Sequence, residues 1–315
     1  MKGFLRFKPL LGFLAIFLIF FSLFPLVKSK INYFQEADQV KGFKDLLAFL
    51  PTPAPYPVNK SVSVLSGLSA KSAVVIDVDS GVILYQKFPS QRLLPASTTK
   101  IMTALVALEN YQLNDVLEVG KLKVDGNLIG LKEGEQLTVE NLLYGLLVGS
   151  GNDAAQVLGE NFAEGTTGFV WAMNQKAAGL KLENTHFTNS IGLDEEGHYS
   201  TAIDLAKLAT VALKNPVFSR IVSTPDWLIT DITGTAVHKL KNTNELVGKI
   251  EGVRGIKTGW TQNAGECLVA LTERNGRKII SVILGSGNRF RETETLISWT
   301  FQNFDWRAIA PAIYP

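Results

Sequence analysis

The sequence predicts a domain of the α/β class, in its α+β form, with one antiparallel sheet built from both ends of the folded region. Two observations lead to this prediction. Short apolar runs separated by turns occur over residues 74–85, and again over residues 265–284 near the other end. The long stretch between them carries helical spacings and helix caps. A helical subdomain is therefore expected between the two halves of the sheet.

The first β region is a hairpin. Apolar residues alternate over 74–78, Asp79-Ser80-Gly81 is a turn sequence, and residues 82–85 form the returning strand. We expect the folded domain to begin just before this hairpin, near Ser72.

The second β region is a longer hairpin followed by a helix. Residues 265–271 and 279–284 are the expected strands, and Asn275-Gly276 between them favours a tight hairpin turn. A helix over residues 292–304 is expected to close the domain.

A helix in the middle section begins close to Pro95 and Ser97, both helix-start residues. Lys100 lies three residues after Ser97, a spacing that puts both side chains on one helical face. A serine hydroxyl needs a nearby base to become a nucleophile, and a lysine can be that base only when it is neutral. The helix is indicated by apolar residues at spacings of three and four: Ile101, Ala104, Leu105 and Leu108.

A second motif, Ser150-Gly151-Asn152, lies between two apolar helical runs and is expected on a helix-helix connection. A third motif, Lys257-Thr258-Gly259, is expected on a strand, where its glycine leaves room for the backbone of a ligand. Ser286-Gly287-Asn288 repeats the second motif, but it follows a strand late in the chain and is expected to be a loop.

Each motif also has a purely structural explanation. Ser-x-x-Lys can be a helix cap with a solvated lysine, Ser-Gly-Asn a polar turn, and Lys-Thr-Gly a strand end. The three occur together in an order that an acylating serine requires, so the sequence favours a catalytic serine over three coincidences.

With these motifs the sequence resembles the serine penicillin-recognising enzymes, and in particular the D-alanyl-D-alanine carboxypeptidases, the low-molecular-weight penicillin-binding proteins. The resemblance extends roughly from Ser72 to Phe304, and it implies the β-lactamase/penicillin-binding-like transpeptidase fold. Further segments that carry it are Asn152–Ala155, Met173–Ala177, Thr185–Phe187, Gly192–Asp194, Gly197–Ala202 and Gly255–Thr261.

The resemblance implies a serine D,D-carboxypeptidase that removes the terminal D-alanine from peptidoglycan stem peptides. Ser97 would attack the penultimate D-alanine carbonyl, Lys100 would take its proton, and Ser150 would relay a proton to the leaving amine. The helix start offers the backbone N–H of Ser97 for the oxyanion, and the resemblance supplies that of Trp260.

The same resemblance implies substrate-binding roles for Asn152 and for residues 257–260. Asn152 would hold the substrate amide. Lys257 would lower the proton affinity of the lysine-serine cluster and, with Thr258 beside Gly259, would bind the terminal carboxylate. Arg289 would add a charge-assisted bond, although Arg291 is close enough in sequence to be the residue concerned. β-Lactams are expected to be covalent inhibitors.

The same residues are compatible with three other functions to different degrees. A class A β-lactamase would carry a Glu-x-x-Leu-Asn element and a central aspartate in its second motif, and neither is present. A D,D-endopeptidase acting on peptide cross-links would use identical catalytic residues. A penicillin-binding scaffold without turnover is a third alternative, disfavoured by the complete catalytic set.

Composition gives no reason to expect nucleic-acid binding, since the formal charge is only +2. No metal or other cofactor is expected, because His186, His198 and His238 are scattered. Cys267 is the single cysteine, so we expect it to be a small buried residue.

The N-terminal segment, residues 1–30, is expected to be a membrane anchor. Three basic residues precede an uncharged run over 9–27, long enough to cross a bilayer, and no small-x-small cleavage site follows. A cleaved signal peptide is the alternative, and with the N-terminus inside the cell either would send the rest of the chain across the membrane. Residues 31–71 would be a juxtamembrane and proline-rich linker, and 72–315 the catalytic domain. The N-terminal anchor would replace the C-terminal one of many relatives.

Overall fold

The computed structural model describes residues 55–61 and 63–308. The expected anchor over 9–27 and the juxtamembrane stretch before residue 55 lie outside these ranges. Within them, no helix combines the length and the apolar character needed to cross a bilayer.

The central feature is a five-stranded antiparallel sheet with the order β3-β2-β10-β9-β8. Two strands come from the start of the folded region and three from its end, which confirms the sheet predicted from the sequence. β8 is an edge strand, so one of its sides is open to neighbouring groups. The strands are β2 (Ser72–Asp77), β3 (Ile83–Lys87), β8 (Val253–Thr261), β9 (Gly265–Arg274) and β10 (Arg277–Ser286).

Both faces of this sheet are buried, because successive strand residues point to opposite sides. Val74 and Val282 face the larger core, which is shared with the helical subdomain. Val75 and Ile283 face a smaller core beneath the last helix. The alternation therefore places the helical subdomain on one face of the sheet and the last helix on the other.

The helices are numbered here along the described chain. A 3-10 turn over Ala96–Thr99 leads directly into the first of them. They are α1 (Lys100–Asn110), α2 (Val139–Leu147), α3 (Asn152–Glu160), α4 (Gly165–Gly179), α5 (Ala202–Ala212), α6 (Pro216–Val222) and α7 (Arg289–Asn303).

Helix α1 differs from the amphipathic helix that its spacing predicted. Every residue from Lys100 to Ala107 is buried, so the helix has no solvent face over its first two turns. It packs against α2, α4 and α5 at once, which accounts for its burial on all sides. The first residue of this central helix is therefore a lysine without access to water.

Thr201-Ala202-Ile203-Asp204 has the sequence of a capping box, which predicts the start of α5, and half of that capping box is present. The Thr201 side chain accepts a hydrogen bond from the Asp204 N–H at 3.1 Å, as an N-cap does. Asp204 does not complete the expected capping box. Its carboxylate instead accepts from the Asn184 N–H at 2.9 Å and the Thr185 hydroxyl at 3.0 Å, so it stabilises the preceding loop.

Three small antiparallel pairs complete the fold. Residues 56–59 fall within the stretch expected to be a linker, and there they form a strand paired with residues 304–307 after α7. The pairs are β1 (Tyr56–Asn59) with β11 (Phe304–Arg307), β4 (Val116–Glu118) with β5 (Gln136–Thr138), and β6 (Asp226–Thr230) with β7 (Val237–Lys241).

Candidate active site

Ser97 and Lys100 lie side by side where the 3-10 turn enters α1. Residues three apart eclipse one another in a 3-10 turn, because it has three residues per turn. The Lys100 amine lies 2.8 Å from the Ser97 hydroxyl oxygen as a result. The expected pairing of these two side chains on one face is therefore present, with the serine in the turn and not in the α-helix itself.

The Lys100 amine has two further partners. It donates to the Asn152 side-chain oxygen at 2.7 Å and to the Ile191 carbonyl at 2.8 Å. A neutral amine has two protons and one lone pair. With both protons given to these oxygens, the lone pair points at the Ser97 hydroxyl, ready to accept its proton.

Because Lys100 is buried, its neutral form is populated near neutral pH. Desolvation lowers the pKa of Lys100 to about 7, and the negative charge of Asp153 opposes this only in part. A substantial share of the amine is then unprotonated at pH 7, which is the condition for it to act as a base.

The Ser150-Gly151-Asn152 motif connects α2 to α3, as predicted. Ser150 has a left-handed backbone with φ of 58° and is buried. Among the described residues its hydroxyl has no hydrogen-bond partner, so the structure brings it to the same junction as Asn152 without bonding it to Lys100. Asn152 opens α3, and its amide nitrogen donates to the Asp125 carbonyl at 2.6 Å.

The Lys257-Thr258-Gly259 motif lies on edge strand β8, again as predicted. Lys257 is fully buried, and its amine donates to the Thr258 carbonyl at 3.2 Å. Burial, followed by the positive charges of Lys100 and Arg289, lowers the pKa of Lys257 well below its ordinary value. The Thr258 and Thr243 hydroxyls lie 2.7 Å apart beside it.

Gly259 allows β8 to pass close to the catalytic turn. A Cβ at this position would lie 2.9 Å from the Ser97 backbone nitrogen and 3.0 Å from the Ala96 side chain. Any larger residue would push the strand away from the serine. Trp260 follows with its side chain 62% exposed, so the indole lies at the rim.

The structure distinguishes the two candidate arginines. Arg289 donates to the Gly259 carbonyl at 3.0 Å, which places its guanidinium against β8. Its Nε is buried and has no partner among the described residues. Arg291 instead lines a separate cavity with Leu65 and Trp299, away from the serine.

Sequence reasoning missed Ile191, whose contribution is a backbone carbonyl. Asn189 holds this carbonyl in place, since its side-chain oxygen accepts from the N–H groups of residues 191, 192 and 193 at 2.7 to 3.2 Å. Gly192, with φ of +89°, packs so closely that a Cβ would lie 2.0 Å from the Ala96 carbonyl oxygen. The Gly192-Leu193-Asp194 motif was the available signal, but it had no assigned role.

Asp153 was also missed as a functional residue. Its buried carboxylate accepts from the N–H groups of Ile129, Gly130 and Leu131 at 2.9 to 3.2 Å. These bonds hold the loop that runs over the Ser-Gly-Asn junction and supplies the Asp125 carbonyl to Asn152. Asp153 therefore stabilises the wall behind the lysine.

The second Ser-Gly-Asn sequence has no part in this cluster. Ser286 ends β10 and donates to the Glu292 carboxylate at 2.7 Å, and the Asn288 side chain caps α7 by accepting from the Arg291 N–H. Cys267 is fully buried in β9, where desolvation raises its pKa to about 11. It is a core residue, as expected.

Comparisons with known proteins agree with this geometry. Residues 59–288 match the protein family described as D-alanyl-D-alanine carboxypeptidase, a range that contains every site residue above except Arg289. The chain is 36% identical over 276 residues to the D-alanyl-D-alanine carboxypeptidase DacF of Bacillus subtilis, covering 82% of this chain and 69% of the relative. It is 32% identical over 240 residues to a D-alanyl-D-alanine endopeptidase of Pseudomonas aeruginosa, covering 74% and 77%.

Solved structures show the same fold. The Streptomyces K15 DD-transpeptidase superposes with a TM-score of 0.72 at 32% identity, covering 76% of this chain and 100% of that one. Penicillin-binding protein D2 of Listeria monocytogenes, in its ampicillin-bound form, gives a TM-score of 0.67 at 32% identity, with the same coverage.

Proposed function

The chain belongs to the D-alanyl-D-alanine carboxypeptidase family of serine peptidases, and from this premise we propose that Ser97 is the residue it acylates. As a serine-type D-Ala-D-Ala carboxypeptidase it removes the terminal D-alanine of peptidoglycan stem peptides. The observation that carries the residue assignment is the Lys100 amine, which lies 2.8 Å from the Ser97 hydroxyl and has two carbonyl oxygens for its protons.

Acylation begins with proton transfer from Ser97 to Lys100. The serine oxygen attacks the penultimate D-alanine carbonyl, and the lysine becomes an ammonium in a buried site. That charge is tolerated because the Asn152 and Ile191 oxygens already accept from the amine, and Asp153 lies behind them.

The oxyanion of the tetrahedral intermediate is bound by backbone N–H groups of Ser97 and Trp260. The close approach of Gly259 to the Ser97 nitrogen supports this pairing, because it brings the end of β8 beside the catalytic turn. Preorganised donors of this kind typically contribute about 10²–10³ in rate.

Lys257, Thr258 and Arg289 bind the terminal carboxylate of the substrate. Two buried lysines and an arginine lie together here. Burial lowers the pKa of Lys257 most, and repulsion by the positive charges of Lys100 and Arg289 lowers it further. An incoming carboxylate offsets this repulsion and provides a partner for the buried Arg289 Nε. The substrate therefore completes an electrostatic arrangement that is unfavourable without it.

Ser150 relays a proton to the departing D-alanine nitrogen, and its lack of a partner in the free protein leaves its hydroxyl available. Asn152 has a second amide proton beyond the one given to Asp125, and this proton binds the substrate amide. Hydrolysis by water then releases the shortened peptide.

β-Lactams are proposed to acylate the same serine, with slow release. The absence of a Glu-x-x-Leu-Asn element from the sequence supports slow release, since that element positions the deacylating water in class A β-lactamases. Rapid hydrolysis of nitrocefin would contradict this part of the proposal.

Residues 1–30 are proposed to anchor the enzyme at the extracytoplasmic face of the bacterial cytoplasmic membrane. The uncharged run over 9–27 supports this, and residues 31–71 and 72–315 would then be the linker and the catalytic domain. The test expresses the full-length chain and sequences the N-terminus of the product. A soluble product that begins after residue 27 would favour a cleaved signal instead.

The decisive test incubates the full chain and its Ser97→Ala variant with a fluorescent penicillin and with diacetyl-Lys-D-Ala-D-Ala. We expect labelling and D-alanine release by the wild type and neither by the variant. Labelling that survives in Ser97→Ala would reject Ser97 as the nucleophile.

An endopeptidase activity is the second candidate, favoured by the similarity to the Pseudomonas aeruginosa endopeptidase. A cross-linked muropeptide dimer separates the two activities. Cleavage of the dimer without D-alanine release from the tripeptide would assign the endopeptidase.

A further inference from the structure

His198 lies in the loop over residues 186–200, outside the group of residues assigned to the reaction. Its side chain is only 2% exposed and packs edge-on against Phe187, with ring centroids 5.7 Å apart. A buried imidazole of this kind needs a partner for each nitrogen. Both partners are present, and they join two different parts of the site.

The hydrogen bonds to its two nitrogens determine the tautomer of His198. The Thr188 backbone N–H donates to Nδ1 at 3.1 Å, and a backbone N–H can only donate, so Nδ1 carries no proton. The neutral ring then carries its proton on Nε2, which lies 2.9 Å from the Thr99 hydroxyl oxygen and donates to it.

Thr99 is the residue immediately before Lys100 in the catalytic turn. The imidazole therefore links the 186–200 loop to the segment that carries the serine and the lysine. A second link lies one turn further along α1, where the Thr103 hydroxyl donates to the Ser190 carbonyl at 2.6 Å. Between these two links the Ile191 carbonyl accepts from the Lys100 amine.

We propose that His198 is a positioning residue for the lysine base: it fastens the 186–200 loop to the catalytic turn and thereby keeps the Ile191 carbonyl against the Lys100 amine. The inference rests on the proposed function, in which Lys100 accepts the serine proton. It assigns no contact between His198 and the substrate.

The physical consequence follows from the burial of Lys100. The loop is one wall of the pocket that excludes water from the amine, and water entering past a loosened loop would favour the ammonium form. The charged groups that face Lys100 are Asp153 and Lys257, and neither lies on this loop. A change in the loop therefore acts on the lysine through hydration and the Ile191 bond.

The protonation state of His198 does not change over the pH range of the assay. Burial lowers the pKa of His198 to about 4, with opposing contributions from Glu195 and Asp194 and a further lowering by His186. The ring is neutral at pH 6 and above, so pH changes in that range report on the lysine and not on the histidine.

The test measures the acylation rate constant of the full chain with a fluorescent penicillin between pH 6 and pH 10. His198→Asn keeps an acceptor near the Nδ1 position for the Thr188 N–H but cannot reach Thr99. Thr99→Val removes the acceptor on the other side of the same bond. We expect both to move the acid limb of the rate profile upward by about one pH unit.

A shift of that size lowers the rate at pH 7 by about fivefold, because the neutral fraction of the amine falls from about one half to about one eleventh. At pH 9 the rate should return to within about twofold of the wild type. The double variant His198→Asn with Thr99→Val should shift no further than either single variant.

Two controls separate positioning from general damage. His198→Gln places an amide N–H near the Nε2 position and should restore most of the rate at pH 7. His186→Asn changes a second histidine of the same loop, keeps a donor for the Gly197 carbonyl that His186 contacts at 2.8 Å, and should leave the acid limb in place. An unchanged acid limb in both His198→Asn and Thr99→Val, with or without a uniform loss of rate, would overturn the proposal.

Hydrogen–deuterium exchange tests the link without any turnover. In a Ser97→Ala background, His198→Asn should speed amide exchange over residues 186–200, and His186→Asn should not. Unchanged exchange in His198→Asn overturns the proposal. A wild type that penicillin fails to label, with exchange still faster in His198→Asn, would instead reject the proposed function while leaving the link intact.

Discussion

The two Ser-Gly-Asn sequences have the same side chains and entirely different surroundings. In the first copy, Ser150 has a left-handed backbone between two helices and Asn152 accepts from the Lys100 amine at 2.7 Å. In the second, Ser286 ends a strand, donates to the Glu292 carboxylate at 2.7 Å, and precedes the asparagine that caps α7.

The difference lies in the group that each copy contacts. Desolvation lowers the pKa of Lys100 to about 7, so this partner changes protonation near neutral pH. Burial raises the pKa of Glu292, but hydrogen bonds from Ser286 and from the Ser69 and Ala70 segment together outweigh burial and lower it below its ordinary value. Glu292 therefore stays ionised at neutral pH and can only stabilise structure.

The largest expected effect comes from replacing the two serines in turn. Ser150→Ala removes the proposed proton relay and should lower kcat for D-alanine release by about 10²–10⁴, the usual contribution of a general acid. Ser286→Ala should leave kcat unchanged, because its hydroxyl bonds the Glu292 carboxylate and the Asn288 N–H and contacts neither Ser97 nor Lys100. Equal losses in the two variants would mean that the copies do not differ in the way proposed.

Replacing the asparagines is the next test. Asn152→Ala deprives the Lys100 amine of one acceptor and frees the Asp125 carbonyl, so we expect the rate of acylation by penicillin to fall by roughly 10²-fold. Asn288→Ala removes an N-cap and should instead lower the free energy of unfolding by about 1 kcal/mol. Urea unfolding and penicillin labelling of both variants check this, and a labelling defect in Asn288→Ala larger than that in Asn152→Ala would contradict it.

Much of this contrast could be predicted from the sequence. The position of Ser150 between helical runs and of Ser286 after a strand follows from local apolar periodicity, which is also why the sheet built from both chain ends was predicted correctly. The pairing of Ser97 with Lys100 follows from their spacing alone. These features depend on residues close together in the chain.

What could not be predicted depends on long-range backbone contacts. The Ile191 carbonyl carries no residue-type signal, since any residue supplies a carbonyl at that position. The pairing of β1 with β11 joins residues about 250 positions apart in the chain, and a proline-rich stretch gave no reason to expect a strand there. The contact of Arg289 with the Gly259 carbonyl depends on how α7 is oriented against β8, which local spacing does not determine.

The second Ser-Gly-Asn sequence is linked to the proposed substrate site through Arg289, because Asn288 caps the helix that begins with this arginine. Arg289→Leu should raise KM for diacetyl-Lys-D-Ala-D-Ala by about tenfold, the size expected for losing one charge-assisted bond. Arg291→Leu is the matched control and should leave KM near the wild-type value. A larger rise in KM for Arg291→Leu would reassign the carboxylate contact.

The smallest expected effect is on stability in acid, and it separates the two serines by a property other than activity. A carboxyl group whose pKa is lowered in the folded state adds stability above its unfolded pKa, and that stability is lost as the pH falls through the folded pKa. Ser286→Ala removes one of the bonds that lower the pKa of Glu292, so less stability is present at neutral pH and its loss is complete at a higher pH. Ser150→Ala touches no such carboxylate and should keep the wild-type profile. Urea unfolding between pH 7 and pH 3 measures both, and parallel profiles for Ser286→Ala and the wild type would show that the hydroxyl adds nothing to the ionisation of Glu292.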